Sequence, residues 1–199
     1  MDVVLIDSGG ANIGSVQYAL ERLGARAQLT ADAEVIARAD RVILPGVGAA
    51  GAGMARLREL GLVDVVRGLS QPLLGICLGM QLLFDGSEEN DTQCLGLIPG
   101  SVRKLAGGEG IRVPHMGWNV LQSERDDALL WGIPPGAQAY FVHSYAAPVG
   151  DFTLASTAHG EAFSAIVRRG RCWGAQFHPE RSASVGSRLL ENFLSERLA

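Results

Sequence analysis

The chain has 199 residues, 47% of them apolar and 6% aromatic, with a formal net charge of -4. That length fits one compact domain, residues 1–199, with enough apolar residues for a sizeable core, and the absence of any basic run argues against nucleic acid as a partner. No segment approaches the ~20 apolar residues of a membrane span, and the opening MDVVLID puts an acid where a secretory signal needs positive charge, so a cytoplasmic location off the membrane is expected.

Val3–Ile6 is a short apolar run that reads as a strand, followed by a glycine-bearing turn, Ser8-Gly9-Gly10-Ala11-Asn12. Ile13, Val16, Ala19, Leu20 and Leu23 then keep helical spacing until Gly24 stops it. Arg26–Thr30 reads as a second strand. Arg41–Leu44 reads as a third, ending in Pro45-Gly46-Val47-Gly48. Met54, Leu57 and Leu60-Gly61 mark another helix, Leu73–Cys77 a fourth strand, and Met80–Phe84 the start of a further helix. Strand–helix alternation with short loops predicts an α/β fold with a central parallel sheet and helices on both faces. Ligands of such sheets sit beyond the carboxyl ends of the strands, so the loops after Leu44 and at Cys77 should share one edge.

The second half changes character. Val102–Leu105, Val113–Val120, Ala139–Tyr145, Phe152–Ser156, Ala162–Val167 and Cys172–Phe177 read as shorter strands. Turns such as Ala106-Gly107-Gly108-Glu109 separate them, which predicts an antiparallel or mixed extension of the sheet. A last helix is expected over Ser184–Arg197, with Val185, Leu189, Leu190, Phe193 and Leu194 as its apolar stripe. No internal repeat, low-complexity tract or linker interrupts the chain.

Three cysteines, an odd number without a CxxC, argue against a disulfide framework or a zinc site. Cys94 and Cys172 read as small buried hydrophobes. Cys77 sits in Gly75-Ile76-Cys77-Leu78-Gly79-Met80-Gln81, at the end of an apolar strand and the start of a helical pattern. Glycines two before and two after allow a sharp turn that holds a nucleophile in a strained conformation. A helix N-terminus aimed at the sulfur favours thiolate, and its N–H groups can hold an oxyanion. Taken alone, the segment fits a buried cysteine in a glycine-rich turn equally well.

Cysteine chemistry needs a base and a group to orient it. His178 lies in Gln176-Phe177-His178-Pro179-Glu180, after the apolar run Cys172–Ala175. In extended chain, positions two apart face the same side, so Glu180 can fix the His178 tautomer. A solvated polar loop is the simpler reading of His-Pro-Glu by itself. Beside the cysteine turn, the pair favours Cys77, His178 and Glu180 as a catalytic triad. His159 sits in a polar turn and reads as solvated, while His115 and His143 lie in strand-like segments and read as structural. No two histidines have metal-ligand spacing, so neither metal nor cofactor is expected.

These two segments, in this order and separation, resemble the signatures of the class I (triad) glutamine amidotransferases, and Pro45-Gly46-Val47-Gly48 resembles that family's oxyanion strand. The resemblance covers essentially the whole chain and implies a flavodoxin-like amidotransferase domain. Four further segments resemble one branch, the glutaminase subunits of imidazole glycerol phosphate synthase. They are Gly10-Ala11-Asn12-Ile13, Pro114-His115-Met116-Gly117-Trp118-Asn119, Tyr140-Phe141-Val142-His143-Ser144-Tyr145 and His178-Pro179-Glu180-Arg181-Ser182. Arg181 stands where members often have Lys, and Ser8 where many have Tyr; both departures concern contacts with a partner rather than the chemistry.

The resemblance implies hydrolysis of L-glutamine to glutamate and ammonia through a Cys77 thioester. Val47 or Gly48 and Leu78 would supply oxyanion donors, and Gln81, Ser144 and Tyr145 would hold the substrate. Ammonia would pass through a channel to a (β/α)8-barrel cyclase subunit in a heterodimer serving histidine biosynthesis. Asn12, Met116, Trp118, Tyr140 and Arg181 are candidates for that interface, although core packing explains Met116 and Trp118 equally well. Two glycines around Val47 make a peptide flip inexpensive, so the oxyanion donor could await the partner. Three competing readings remain open on the sequence: a sister glutaminase such as that of pyridoxal phosphate synthase, a cysteine peptidase or esterase on an α/β scaffold, and a binding module with a dead site.

Overall fold

A computed structural model describes residues 1–9 and 12–195. Gly10 and Ala11 of the expected first turn, and the expected helical residues 196 and 197, lie outside the described residues. In chain order the first half holds β1 (Val3–Ile6), α1 (Ile13–Arg22), β2 (Ala27–Thr30), α2 (Ala33–Arg38), β3 (Arg41–Gly46), α3 (Ala50–Glu59), α4 (Val63–Arg67), β4 (Leu73–Cys77) and α5 (Leu78–Gln81). The rest holds β5 (Phe84–Ser87), β6 (Thr92–Gln93), β7 (Ile98–Lys104), β8 (His115–Val120), β9 (Gln122–Ser123), β10 (Gln138–His143), β11 (Tyr145–Ala146), β12 (Thr153–His159), β13 (Glu161–Arg169), β14 (Cys172–Ala175) and α6 (Ala183–Leu194).

The main sheet runs β2-β1-β3-β4-β14-β13-β12-β9. Its β2, β1, β3, β4 and β14 are parallel, and β13, β12 and β9 extend it antiparallel. Every residue of β1 and β4 is buried, as helices on both faces require. Side-chain alternation divides β1 between two cores: Val3 and Leu5 join Val16, Leu20 and Phe193 on one face, while Val4 and Ile6 join Met54, Leu57 and Phe84 on the other. Each such aliphatic side chain contributes roughly 1.5–3 kcal/mol when fully buried. The site-bearing ends of β3 and β4 are therefore anchored from both sides. Among the described residues no helix is long and apolar enough to cross a membrane.

The structure differs from the sequence expectation in four places. The helix expected over Met80–Phe84 is a single turn, Leu78–Gln81, and Phe84 opens a strand instead. Asp85-Gly86-Ser87 are poor helix formers, and fully buried Phe84 pairs with Ile98 and packs edge-on against Phe152, 5.1 Å between ring centres. Helices α2 and α4 have six and five residues, too few for a periodic pattern; α2 is fixed locally by Asp32, whose carboxylate accepts from the N–H of Glu34 and Val35. The expected strand over Ala139–Tyr145 breaks at Ser144 into β10 and β11. Finally, only β9 and β12–β14 extend the main sheet. β8 pairs with β10, and β11-β7-β5-β6 form another small sheet, because alternation along a strand does not specify its partner.

Candidate active site

The carboxyl ends of β3 and β4 meet with Gly46 in register with Cys77. Cys77 has φ 54° and ψ -112°, a conformation that costs an L-residue on the order of 1–3 kcal/mol and persists only where packing enforces it. The packing here is backbone against backbone. A Cβ on Gly79 would stand 1.8 Å from the Leu44 oxygen, and one on Gly75 would stand 2.6 Å from the Gly79 oxygen. Gly46 is of the same kind: its Cβ would lie 2.8 Å from the Gly79 nitrogen. Gly48 alone among the oxyanion-strand glycines has the positive φ, 94°, with open space around it, so any freedom to flip belongs to the Val47–Gly48 end. The helix dipole expected to favour thiolate is small, since α5 has four residues. What remains is the N–H of Leu78, which has no carbonyl partner within the helix.

A cavity of about 300 Å³ opens at Cys77. Val47, Gly48, Leu78, Gln81, Ser144, Tyr145 and His178 line it together with Cys77. It thus gathers the nucleophile, base, oxyanion and substrate residues read from the sequence. A larger cavity of about 750 Å³ near Leu121, Trp131 and Ile133 shares no lining residue with it and holds none of that chemistry.

His178 follows β14 and is only 6% exposed. Its Nδ1–H donates to Glu180 Oε1 at 2.8 Å, which leaves Nε2 as the ring nitrogen for Cys77. The two residues are brought together by the helical turn Pro179–Arg181 rather than by extended chain. Burial works against the imidazolium, but the Cys77 sulfur and the Glu180 carboxylate outweigh it and raise the His178 pKa to about 10. Glu180 is nearly inaccessible, with its side chain 1% exposed. Asn12 Nδ2 donates to the same Glu180 oxygen at 2.5 Å, while Oε2 has no hydrogen-bond partner among the described residues. Asn12 Nδ2 and His178 Nδ1 stand 3.3 Å apart as two donors sharing one acceptor. Asn12, an interface candidate on sequence, thus also reaches inward to the acid.

Behind the cavity lies a directional network. Gln81 Nε2 donates to Tyr145 O at 2.8 Å and to Gln176 Oε1 at 3.0 Å, and Gln176 Nε2 points to Cys77 Sγ at 3.9 Å. His143 Nδ1–H donates to the same Tyr145 oxygen at 2.8 Å, so its Nε2 accepts from His115 Nδ1, 3.0 Å away. Burial lowers His115 to about 4 and His143 to about 3, and both are neutral at pH 7. His159 is not merely solvated, since it stacks on His115 at 4.2 Å and its Nε2–H donates to Arg112 O at 2.7 Å. Of the other cysteines, Cys94 is buried, which pushes its thiol up to about 11, and Cys172 is half-buried. Glu89 also lines the cavity, and its Oε2 accepts the Ala50 N–H at 2.7 Å. Nothing in the local sequence around Glu89 marks it.

Four of the interface candidates, Met116, Trp118, Tyr140 and Arg181, lie at the surface rather than in a core. Met116 is 63% and Trp118 52% exposed, on the outward face of β8. Trp118 meets Tyr140 edge-on at 5.9 Å, and the Arg181 guanidinium lies over the Tyr140 ring at 5.4 Å. The patch is tied to His178: its N–H donates to Tyr140 O, and Ser182 Oγ accepts from Tyr140 N while donating to His178 O.

This fold and site are those of a glutamine-hydrolysing amidotransferase, and the family described as Glutamine amidotransferase class-I matches residues 4–196. The chain belongs to the class-I glutamine amidotransferase family. More particularly, it is 62% identical over 193 residues to the imidazole glycerol phosphate synthase subunit HisH of Xanthomonas axonopodis pv. citri, covering 97% of this chain and 96% of that one. It is 58% identical to the HisH subunit of Xylella fastidiosa over the same shares. Among solved structures, a glutamine amidotransferase superposes with a TM-score of 0.74 at 24% identity over 96% of both chains. PurLQS from Thermotoga maritima gives 0.71 at 17% identity over 97% of both. At such identities the structures speak to the fold.

Proposed function

We propose that the chain is the glutaminase subunit of an imidazole glycerol phosphate synthase and feeds ammonia to a cyclase subunit in histidine biosynthesis. The cavity that joins Cys77 to His178, and the near-full-length identity to HisH subunits, carry the reading. Glutamine enters with its side-chain carboxamide over Cys77. The thiolate forms a C–S bond to the amide carbon, and the carbonyl oxygen takes the charge. The N–H groups of Leu78 and of Val47 or Gly48 hold that oxyanion, each contributing ~3 kcal/mol. The C–N bond then breaks, and the leaving nitrogen takes the proton from His178 Nε2. In the second half-reaction His178 removes a proton from water, the hydroxide attacks the thioester, and glutamate leaves with Cys77 restored.

The substrate's other end needs an acceptor for its ammonium. Glu89 is the one carboxylate among the described residues lining the cavity, and Gln81 has spent its N–H₂ on Tyr145 and Gln176, which leaves its carbonyl to accept. The patch of Met116, Trp118, Tyr140 and Arg181 suits the barrel partner, with ammonia passed across that interface. The three cysteines, none in a disulfide, suit a reducing cytoplasm.

The test is glutamate release by the purified chain, alone and with a histidine-pathway cyclase subunit and its nucleotide ligand. Turnover that rises on adding both, and disappears in Cys77→Ala, supports the reading. Equal turnover without the partner removes the dependence on the second subunit, and turnover in Cys77→Ala removes the nucleophile.

A further inference from the structure

Gln176 is fully buried, two residues before the base, and its side chain spans from Gln81 to the Cys77 sulfur. The orientation of its amide is fixed from one end. Tyr145 O is a backbone carbonyl and can only accept, so Gln81 must turn its N–H₂ toward it. That nitrogen, 3.0 Å from Gln176, forces the Gln176 oxygen to face it. Reversing Gln176 would set two donors against each other, and reversing both amides would set the Gln81 oxygen against the Tyr145 oxygen at 2.8 Å. One carbonyl therefore dictates that a Gln176 N–H points at Cys77 Sγ, 3.9 Å away and within reach of a sulfur hydrogen bond.

We infer that Gln176 is a catalytic residue that binds the Cys77 sulfur as a thiolate through its side-chain N–H. The inference rests on Cys77 being the nucleophile. An N–H donor gains more from a charged acceptor than from a neutral one, so the contact favours S⁻ over S–H. The four-residue α5 offers little dipole for the same purpose. Buried without solvent, the donor costs no reorganisation when the thioester breaks and the charge returns to sulfur. The Val142 carbonyl, 3.9 Å from the sulfur, accepts from the thiol and has the opposite effect, which the amide offsets alongside His178.

The experiment follows alkylation of Cys77 by iodoacetamide across pH in the full chain, read by mass spectrometry of the Cys77 peptide. Gln176→Met removes the donor at similar length. Gln176→Glu keeps an oxygen for Gln81 and replaces the N–H₂ with a second oxygen, and circular dichroism checks that each variant folds. Both should move the alkylation midpoint upward by about one pH unit, an approximately tenfold slower reaction at neutral pH. Lost packing alone would change the rate without moving the midpoint. A wild-type midpoint in folded variants overturns the role of Gln176. Failure of wild-type Cys77 to alkylate ahead of Cys94 and Cys172 instead overturns the nucleophile assignment beneath it.

Discussion

Replacing Asn12 by alanine separates two roles that the sequence could not. Glu180 is held by two donors on one oxygen, His178 Nδ1 at 2.8 Å and Asn12 Nδ2 at 2.5 Å, and its second oxygen has no partner among the described residues. Asn12→Ala removes half of that support from a carboxylate 1% exposed. A hydrogen bond to a charged group contributes about 1.5–3 kcal/mol, which corresponds to roughly a 10- to 150-fold fall in kcat if the acid must stay oriented as His178 gains and loses its proton. KM for glutamine should change little, because Asn12 does not line the cavity over Cys77. Asn12→Asp should be worse, since two carboxylates would share one site. The assay is glutamate formation at saturating partner, paired with a titration of partner affinity. A kcat within threefold of wild type, together with weakened partner binding, would refute the inward role and return Asn12 to the interface.

Gly79→Ala sets a methyl group against the Leu44 carbonyl at 1.8 Å, and backbone cannot step aside cheaply. It should cost at least ~3 kcal/mol, lower Tm by about 6–12 °C and abolish turnover, checked by thermal unfolding and glutaminase assay. Trp118→Ala should leave stability near wild type because the ring is 52% exposed, yet weaken partner binding by roughly 30-fold or more, a hot-spot loss of about 2 kcal/mol. An unchanged Kd by calorimetry would show that the partner sits elsewhere. For pH, His115 and His143 are lowered by burial, so the folded state binds fewer protons than the unfolded state between pH 6.5 and about 4 and 3, respectively. Stability should therefore fall with acidification below pH 6.5, by about 1.4 kcal/mol per unit for each histidine. His178 has the opposite sign: raised to about 10, it stabilises fully below pH 6.5 and loses that contribution as pH climbs toward 10. Denaturant melts at pH 5, 7 and 9.5 check both; a midpoint that rises from pH 7 to 5 contradicts the first.

The parallel half of the fold was legible because β1, β3 and β4 are buried on both faces and so read as unbroken apolar runs. The small sheets were not, because pairing of β8 with β10 depends on which distant strand offers a matching edge. At the site, Cys77, His178 and Glu180 lie in two short motifs whose residue types announce their chemistry. Gln176 stood at the head of the second segment in plain view, but an amide has no chemistry until its orientation is known, and that orientation comes from Tyr145, far away in sequence. Glu89 reaches the cavity from a turn after β5, a strand that the expected helix had displaced. Met116 and Trp118 could not be placed inside or outside until their strand was seen to lie on the surface.

The Tyr145 carbonyl has one more effect. Amide side chains do not pass protons along at ordinary pH, and a peptide oxygen has none to release. The path from Cys77 through Gln176 and Gln81 therefore ends in an insulator, and the His143–His115 pair drains toward the same dead end. No proton that leaves the sulfur can travel along this path, and the titratable side chain that does interact with the sulfur is His178.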